Sequence, residues 1–212
     1  MIKGLWTADH NIDDPDLTDA YNVMPFTSIY VARGFLIESK HATWLYGTAS
    51  EHATLYQYNF AHAQNIYTTM IQTESPYYQP TPRPPAPWKN TLRLQGVFET
   101  DPEFNCAEDG DFSGCDESWA VILTRSQNIQ IGGAGTYSWF SYYTQDCIDL
   151  HACQKALWYV RDNYDNVRVQ HIIGIGAKYV LVSNGKGISA ADNLAVKHHP
   201  AWSQISMFDA PR

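Results

Sequence analysis

Charge is scarce in this chain of 212 residues: Asp, Glu, Lys and Arg together make up 17%. A helical bundle needs many more Glu, Lys, Leu and Ala residues, so the balance suits a β-rich fold better than that architecture. Basic blocks are missing too, and the net charge of −8 speaks against nucleic acid and against an anionic membrane as partners. No apolar run reaches transmembrane length, and the opening Met1-Ile-Lys-Gly-Leu-Trp6 has no apolar signal core. Asn-Gly and Asp-Gly hairpin signals are nearly absent between adjacent strand-like runs, and helical periodicity is weak throughout. Aromatic residues, by contrast, are plentiful: Tyr, Trp and Phe reach 14%. That content excludes disorder and suits a β-rich fold with a polar-aromatic surface. The length fits one domain, residues 1–212, with a sizeable core.

The four cysteines form two close pairs, Cys106/Cys115 and Cys147/Cys153. A zinc site is the alternative reading. Neither pair has the two-residue spacing of a zinc knuckle, however, and His151 alone does not complete one. Two local disulfides are expected instead, each contributing about 2–3 kcal/mol in the chain-entropy model, and no metal. Disulfides favour an extracellular compartment. A secreted type of body without a leader suggests a piece of a longer chain, or a gene model that begins late.

Short alternating runs read as strands at 28–31, 34–38, 44–46, 55–58, 66–71, 120–123, 129–131, 157–160, 167–172 and 179–182. A repeat joins them: a short apolar strand, a polar turn, then Asn followed by alternating aliphatics. Asn65, Asn128, Asn166 and Asn193 open these units. Asn tolerates the left-handed conformation of a sharp turn, and stacked Asn side chains form hydrogen-bonded ladders. The pattern predicts a right-handed parallel β-helix, in which each coil buries its inner face only with neighbours on both sides. An antiparallel sandwich with Asn at its turns is the alternative, disfavoured by the missing hairpin signals. Six of the eleven prolines fall between Pro76 and Pro87. The segment 76–88 is therefore stiff and extended, and reads as a surface excursion rather than a linker, because the strand repeat resumes after it.

Two segments stand out chemically: Trp44-Leu-Tyr-Gly-Thr-Ala-Ser-Glu-His52 and Ile71-Gln-Thr-Glu-Ser-Pro-Tyr-Tyr-Gln-Pro80. Each sets one carboxylate among aromatic and amide side chains, the composition of a carbohydrate site. Glu51 and Glu74 are 74 − 51 = 23 residues apart, roughly one coil of a β-helix. Neighbouring strands lie about 4.8 Å apart, so the two carboxyl groups can approach closely. Carboxylates that near resist ionising together, and a carboxyl group that keeps its proton is what a general acid needs. The plainer reading is a pair of solvated glutamates among packing tyrosines. Tyr46, Tyr56, Tyr58, Tyr77 and Tyr78, with Gln57, Gln72, Gln79 and His52, crowd the pair in sequence. Elsewhere, His198-His199 lacks a third metal ligand of suitable spacing, and Asp13-Asp14-x-Asp16 lacks the Gly and Glu of a calcium loop. Gly132-Gly-Ala-Gly135 has no Lys-Ser/Thr after it and reads as a tight corner rather than a phosphate loop.

These segments, with Trp6-Thr-Ala-Asp-His-Asn-Ile-Asp-Asp14 and Leu55-Tyr-Gln-Tyr58, resemble glycoside hydrolase family 55, the fungal β-1,3-glucanases. The resemblance implies a secreted, exo-acting, inverting enzyme of β-1,3-glucan without metal or organic cofactor. It implies two β-helix domains side by side, of which this chain would be the C-terminal one, docking to a separate N-terminal β-helix. Glu74 would be the general acid and Glu51 the partner that tunes its proton. Tyr77, Tyr78, Gln72, His52 and Trp44 would touch the sugar. Ser75 stands where the family commonly has Thr, Ala53 where a second His is common, and the first β-helix is missing. An inverting hydrolase needs a water on the sugar face opposite the acid. The alternative is therefore a glucan-binding module without turnover, and a third reading is a truncated product whose exposed strand edges associate.

Overall fold

The computed structural model describes residues 2–3, 6–8, 30–88, 98–102, 112, 117–195 and 201–211. Cys106, Cys115, His198, His199 and the acidic run at 13–16 lie outside the described residues. Two short strands come first, β1 (Ile2–Lys3) and β2 (Trp6–Ala8). The chain then crosses between two sheets with every strand. β3 (Arg33–Ile37), β5 (Tyr56–Ala61), β7 (Trp119–Thr124), β9 (Gln154–Arg161) and β11 (Ala177–Ser183) build one sheet. β4 (Thr43–Glu51), β6 (Gln64–Glu74), β8 (Gln127–Tyr137) and β10 (Val167–Ile175) build the other, edged by β1 and β2. All pairings among these strands are parallel; β1 lies beside β4, and from β2 onward each strand lies beside the next but one in sequence. The protein is thus all-β with parallel sheets, and no α-helix occurs among the described residues.

The register explains the repeat. Ile66, Ile129 and Val167 are cross-strand partners, as are Thr68, Ile131 and Val169, and all six are almost wholly buried. Tyr58, Val121, Trp158 and Leu181 form the matching column on the other sheet, and apolar residues of both columns join one core cluster. Burying an aliphatic or aromatic side chain of this size contributes about 1.5–3 kcal/mol, so each turn of chain is stabilised by the turns on either side.

Asn65, Asn128 and Asn166 have φ of 60, 52 and 58°. The Asn128 amide donates to Asn65 Oδ1 at 3.1 Å, and Asn166 donates to Asn128 Oδ1 at 3.2 Å. The ladder expected from the sequence is present at these residues. Asn193 is not part of it: that residue ends a 3₁₀ turn, Ala191–Asn193, and its amide donates to the Ser189 carbonyl at 2.8 Å. A second column of positive-φ residues, Gly47, Met70, Gly133 and His171, sits between matching register partners of β4, β6, β8 and β10. Each long strand therefore has two arms. Gly133 supplies the corner expected of the glycine-rich run.

Two strands depart from the parallel pattern and were not expected. β12 (Lys186–Ser189) folds back antiparallel on β11 through Asn184-Gly185, with φ of 46 and 77°, the backbone that Asn-Gly favours in two-residue hairpins. β13 (Trp202–Asp209) pairs antiparallel with β10, and Arg168 grips Asp209 through two hydrogen bonds of 2.6 and 2.9 Å. The first expected run, 28–31, has no strand at its described residues.

Between β6 and β7 the proline-rich segment makes turns at 77–80 and 84–87. Its start is pinned. Gln79 is fully buried, accepting from the Ser118 amide at 2.7 Å and donating to the Thr54 carbonyl at 3.1 Å, whereas residues 81–83 are exposed. Cys147 and Cys153 form the expected disulfide. No helix among the described residues is long and apolar enough to cross a membrane.

Candidate functional site

Beyond the bend, β4 and β6 run in strict register: Thr48 beside Ile71, Ala49 beside Gln72, Ser50 beside Thr73, Glu51 beside Glu74. Strand alternation turns the buried Ser50 and Thr73 inward. Glu51 and Glu74 therefore project together from the opposite face as adjacent side chains of neighbouring strands.

Their surroundings divide the pair. Gln72 Nε2 donates to Glu51 Oε1 at 2.7 Å, and Glu51 is only 7% exposed. Glu74 is held at both oxygens, with the Tyr77 hydroxyl donating to Oε1 at 2.9 Å and His52 Nε2 lying 3.2 Å from Oε2. Its side chain keeps 15% exposure, against 5% for His52. Glu74 is the member of the pair that solvent reaches more easily. The left-handed backbone of His52, φ 62°, turns its ring back over the neighbouring strand, and its amide donates to the Glu74 carbonyl at 2.8 Å. Tyr77 is fixed from both sides, its ring 4.6 Å from His52 and 4.0 Å from Phe140. Ligand atoms of Glu51, His52 and Glu74 all lie within 4.8 Å of one another, and these same side chains hold the contacts to Gln72, Tyr77 and each other.

The register row continues past Glu74 to Tyr137, then to Ile175 and Trp202. Burial pushes the Tyr137 phenol up, and the nearby Glu51 and Glu74 carboxylates add to this. Its ring folds back over Gly135, where a methyl group would run into the Tyr137 hydroxyl. Trp139 and Trp202 lie 5.6 Å from the same ring. None of these residues was expected from the sequence. One signal was available: Tyr137 follows Asn128 at the same interval, 137 − 128 = 9, as Glu74 follows Asn65, 74 − 65 = 9.

Of the expected sugar contacts, the structure gathers Tyr77, Gln72 and His52 around the carboxylates. Trp44 and Tyr78 are elsewhere. Trp44, 43% exposed, lies at the far end of β4 beyond the Gly47 bend, beside Tyr67 in register. Tyr78 is buried, its hydroxyl facing Thr54 Oγ1 at 3.2 Å and the Ala86 carbonyl at 3.3 Å, its ring edge-on to Tyr30. A separate cavity of about 620 Å³ opens on the other sheet around Trp119, Tyr159 and Arg161, and its lining includes neither glutamate.

Fold and site together define an all-β protein of stacked parallel strands bearing a cross-strand carboxylate pair. Comparison with known proteins gives that class its relatives. Over 87% of its length the chain is 35% identical to a probable glucan endo-1,3-beta-glucosidase of Arthroderma benhamiae, covering 19% of that protein. Over 90% it is 31% identical to a glucan 1,3-beta-glucosidase of Cochliobolus carbonum, covering 22%. It is also 43% identical, over 67% of its length, to a protein of Penicillium expansum named non-secreted LysM effector LysM15, covering 8%. The chain thus spans about a fifth of the length of these two glucosidases and less of the effector. No family model matches it.

Proposed function

We propose that the chain is part of a β-1,3-glucan hydrolase, with Glu74 as general acid and Glu51 as its electrostatic partner. The Glu51–Glu74 register pair carries this reading: the more exposed glutamate is oriented at both oxygens by Tyr77 and His52, and its neighbour is nearly enclosed. In the reaction Glu74 donates its proton to the glycosidic oxygen as the bond to the anomeric carbon breaks, while a water on the opposite sugar face bonds to that carbon and gives up a proton, releasing the free sugar. Glu51, kept in place by Gln72, stands beside Glu74 in register as the second carboxyl group of the site. His52 and Tyr77 hold the Glu74 carboxyl group towards the leaving oxygen. The glucanase names of relatives at 31–35% identity support the substrate class.

In finer detail, we assign the chain to glycoside hydrolase family 55 and residues 1–212 to a single right-handed parallel β-helix, the C-terminal one of two, with 76–88 as its surface excursion. The strand-by-strand alternation between two parallel sheets and the asparagine ladder support this architecture. An exo-acting, inverting mode and docking to a separate N-terminal β-helix follow the family resemblance. An extracellular location is supported by the Cys147–Cys153 disulfide.

A second reading, a glucan-binding module without turnover, is favoured by the effector name of the Penicillium relative. Glucose release from laminarin by the purified chain, with Glu74→Gln alongside, separates the two. Release abolished by the substitution supports the acid assignment, and release that survives it refutes that assignment. Binding of laminarin with no release supports the module. A ladder of longer products in place of glucose overturns the exo mode.

A further inference from the structure

The row of side chains that begins at Glu51 and Glu74 does not stop at the carboxylates. Tyr137 stands next to Glu74 in register, and Tyr137, Trp139 and Trp202 form a triangle of rings with centroids 5.6, 5.6 and 5.8 Å apart. Against two of these rings, Trp139 and Trp202, opens a cavity of about 670 Å³. Trp139, Trp202 and the buried Ile175 give it apolar walls, and Gln145, Asp146 and Asp149 give it polar ones. From the Glu74 strand to the Trp202 strand there are three sheet spacings of about 4.8 Å, roughly 14 Å, the reach of a short oligosaccharide.

We propose that this groove is a subsite for a neutral polyhydroxylated chain, holding the part of a β-1,3-glucan that extends past the bond at Glu74; the inference rests on the function proposed above. Indole faces cover the CH faces of a pyranose, while two carboxylates and an amide accept and donate hydrogen bonds to its hydroxyls. The acidic lining repels an anionic ligand. The polar wall is preformed. Cys147 and Cys153 close the loop that carries Ile148 and Asp149, and turn hydrogen bonds run from Ile148 to Gln145 and from Ala152 to Cys147. A ligand therefore loses little affinity to ordering that loop. Trp202 reaches the groove only because β13 pairs with β10 at Ile175. The C-terminal strand thereby completes a surface that begins on β4.

The test uses the full chain carrying Glu74→Gln, titrated with laminaribiose and laminarihexaose and followed by tryptophan fluorescence. The expected result is hexaose binding about tenfold tighter than biose, a preference removed by Trp202→Ala. The exposed Asp149→Ala serves as a second variant that does not disturb the sheet, and it should lower the preference severalfold. Unchanged preference in both variants overturns the subsite, as does absence of hexaose binding or quenching by tetramethylammonium in place of the sugar. Laminarin hydrolysis by the unsubstituted chain reports on the hydrolase reading separately. Hydrolysis with a preference insensitive to Trp202 removes the groove alone, and a Trp202-dependent preference without hydrolysis removes the hydrolase reading alone.

Discussion

Asn128 occupies the middle of the asparagine ladder, and replacing it isolates what the ladder contributes. Its amide donates to Asn65 at 3.1 Å, its carbonyl accepts from Asn166 at 3.2 Å, and its φ is 52°. Asn128→Ala removes both hydrogen bonds, each worth about 0.5 kcal/mol at an exposed site. It also leaves a β-carbon-bearing residue without a polar side chain in the left-handed region, at a cost of about 1 kcal/mol. The sum is about 2 kcal/mol, or a melting temperature lower by about 4–8 °C for a chain of this size. Asn128→Gly loses the same bonds but tolerates the backbone, so it should be more stable than the alanine variant by about 1 kcal/mol. Urea unfolding followed by tryptophan fluorescence measures both. Equal destabilisation by Ala and Gly would show that the left-handed backbone is not what Asn is there to supply. An unchanged midpoint in both would show that the ladder contributes nothing.

Gly135→Ala should drive the Tyr137 ring off its place beside Glu74 while changing the melting temperature little, because the displaced atom ends a rotatable side chain; a laminarin affinity equal to wild type would refute that placement. Reducing the Cys147–Cys153 bond, which spans a sequence separation of 6, should lower stability by about 2 kcal/mol in the chain-entropy model, read as the difference between unfolding curves with and without reductant. Burial pushes the phenols of Tyr56, Tyr58 and Tyr137 up from the ordinary 10.0. The unfolded chain then releases these protons first, so their contribution is complete below pH 10.0 and is lost as pH rises above it. Unfolding midpoints at about pH 9 and about pH 11 should differ accordingly, and Tyr58→Phe, which also loses the 2.9 Å bond to Thr48, should narrow the difference. Equal midpoints at the two values would refute the effect.

Much of the fold was legible because its signals are local. An Asn followed by alternating aliphatics specifies both a left-handed corner and an inward face, and Asn65, Asn128 and Asn166 obey it. The same pattern misled at Asn193, where Ser189 offers a nearby carbonyl and the chain turns as a 3₁₀ helix instead. The hairpin at Asn184-Gly185 carries an ordinary sequence signal, one of very few of its kind in the chain. β13 had none, since its partner is decided by which edge β10 leaves open.

The carboxylate pair divides in the same way. That Glu51 and Glu74 would lie on neighbouring strands was readable from their interval, because one passage through the other sheet and back sets the spacing. The sequence sets Tyr77 and His52 near the acid as sugar contacts; their hold on Glu74 comes from the structure, with the left-handed turn at His52. Tertiary structure alone decided that Trp44 would lie beyond a bend and Tyr78 inside the body. It alone brought Trp202 into line with the glutamates and set Trp139 beside it, whereas Tyr137 had its interval from Asn128 as a sequence signal. The physical reason is the parallel register: it juxtaposes residues from neighbouring strands of one sheet whose separation depends on the loops inserted between them, and those lengths carry no period.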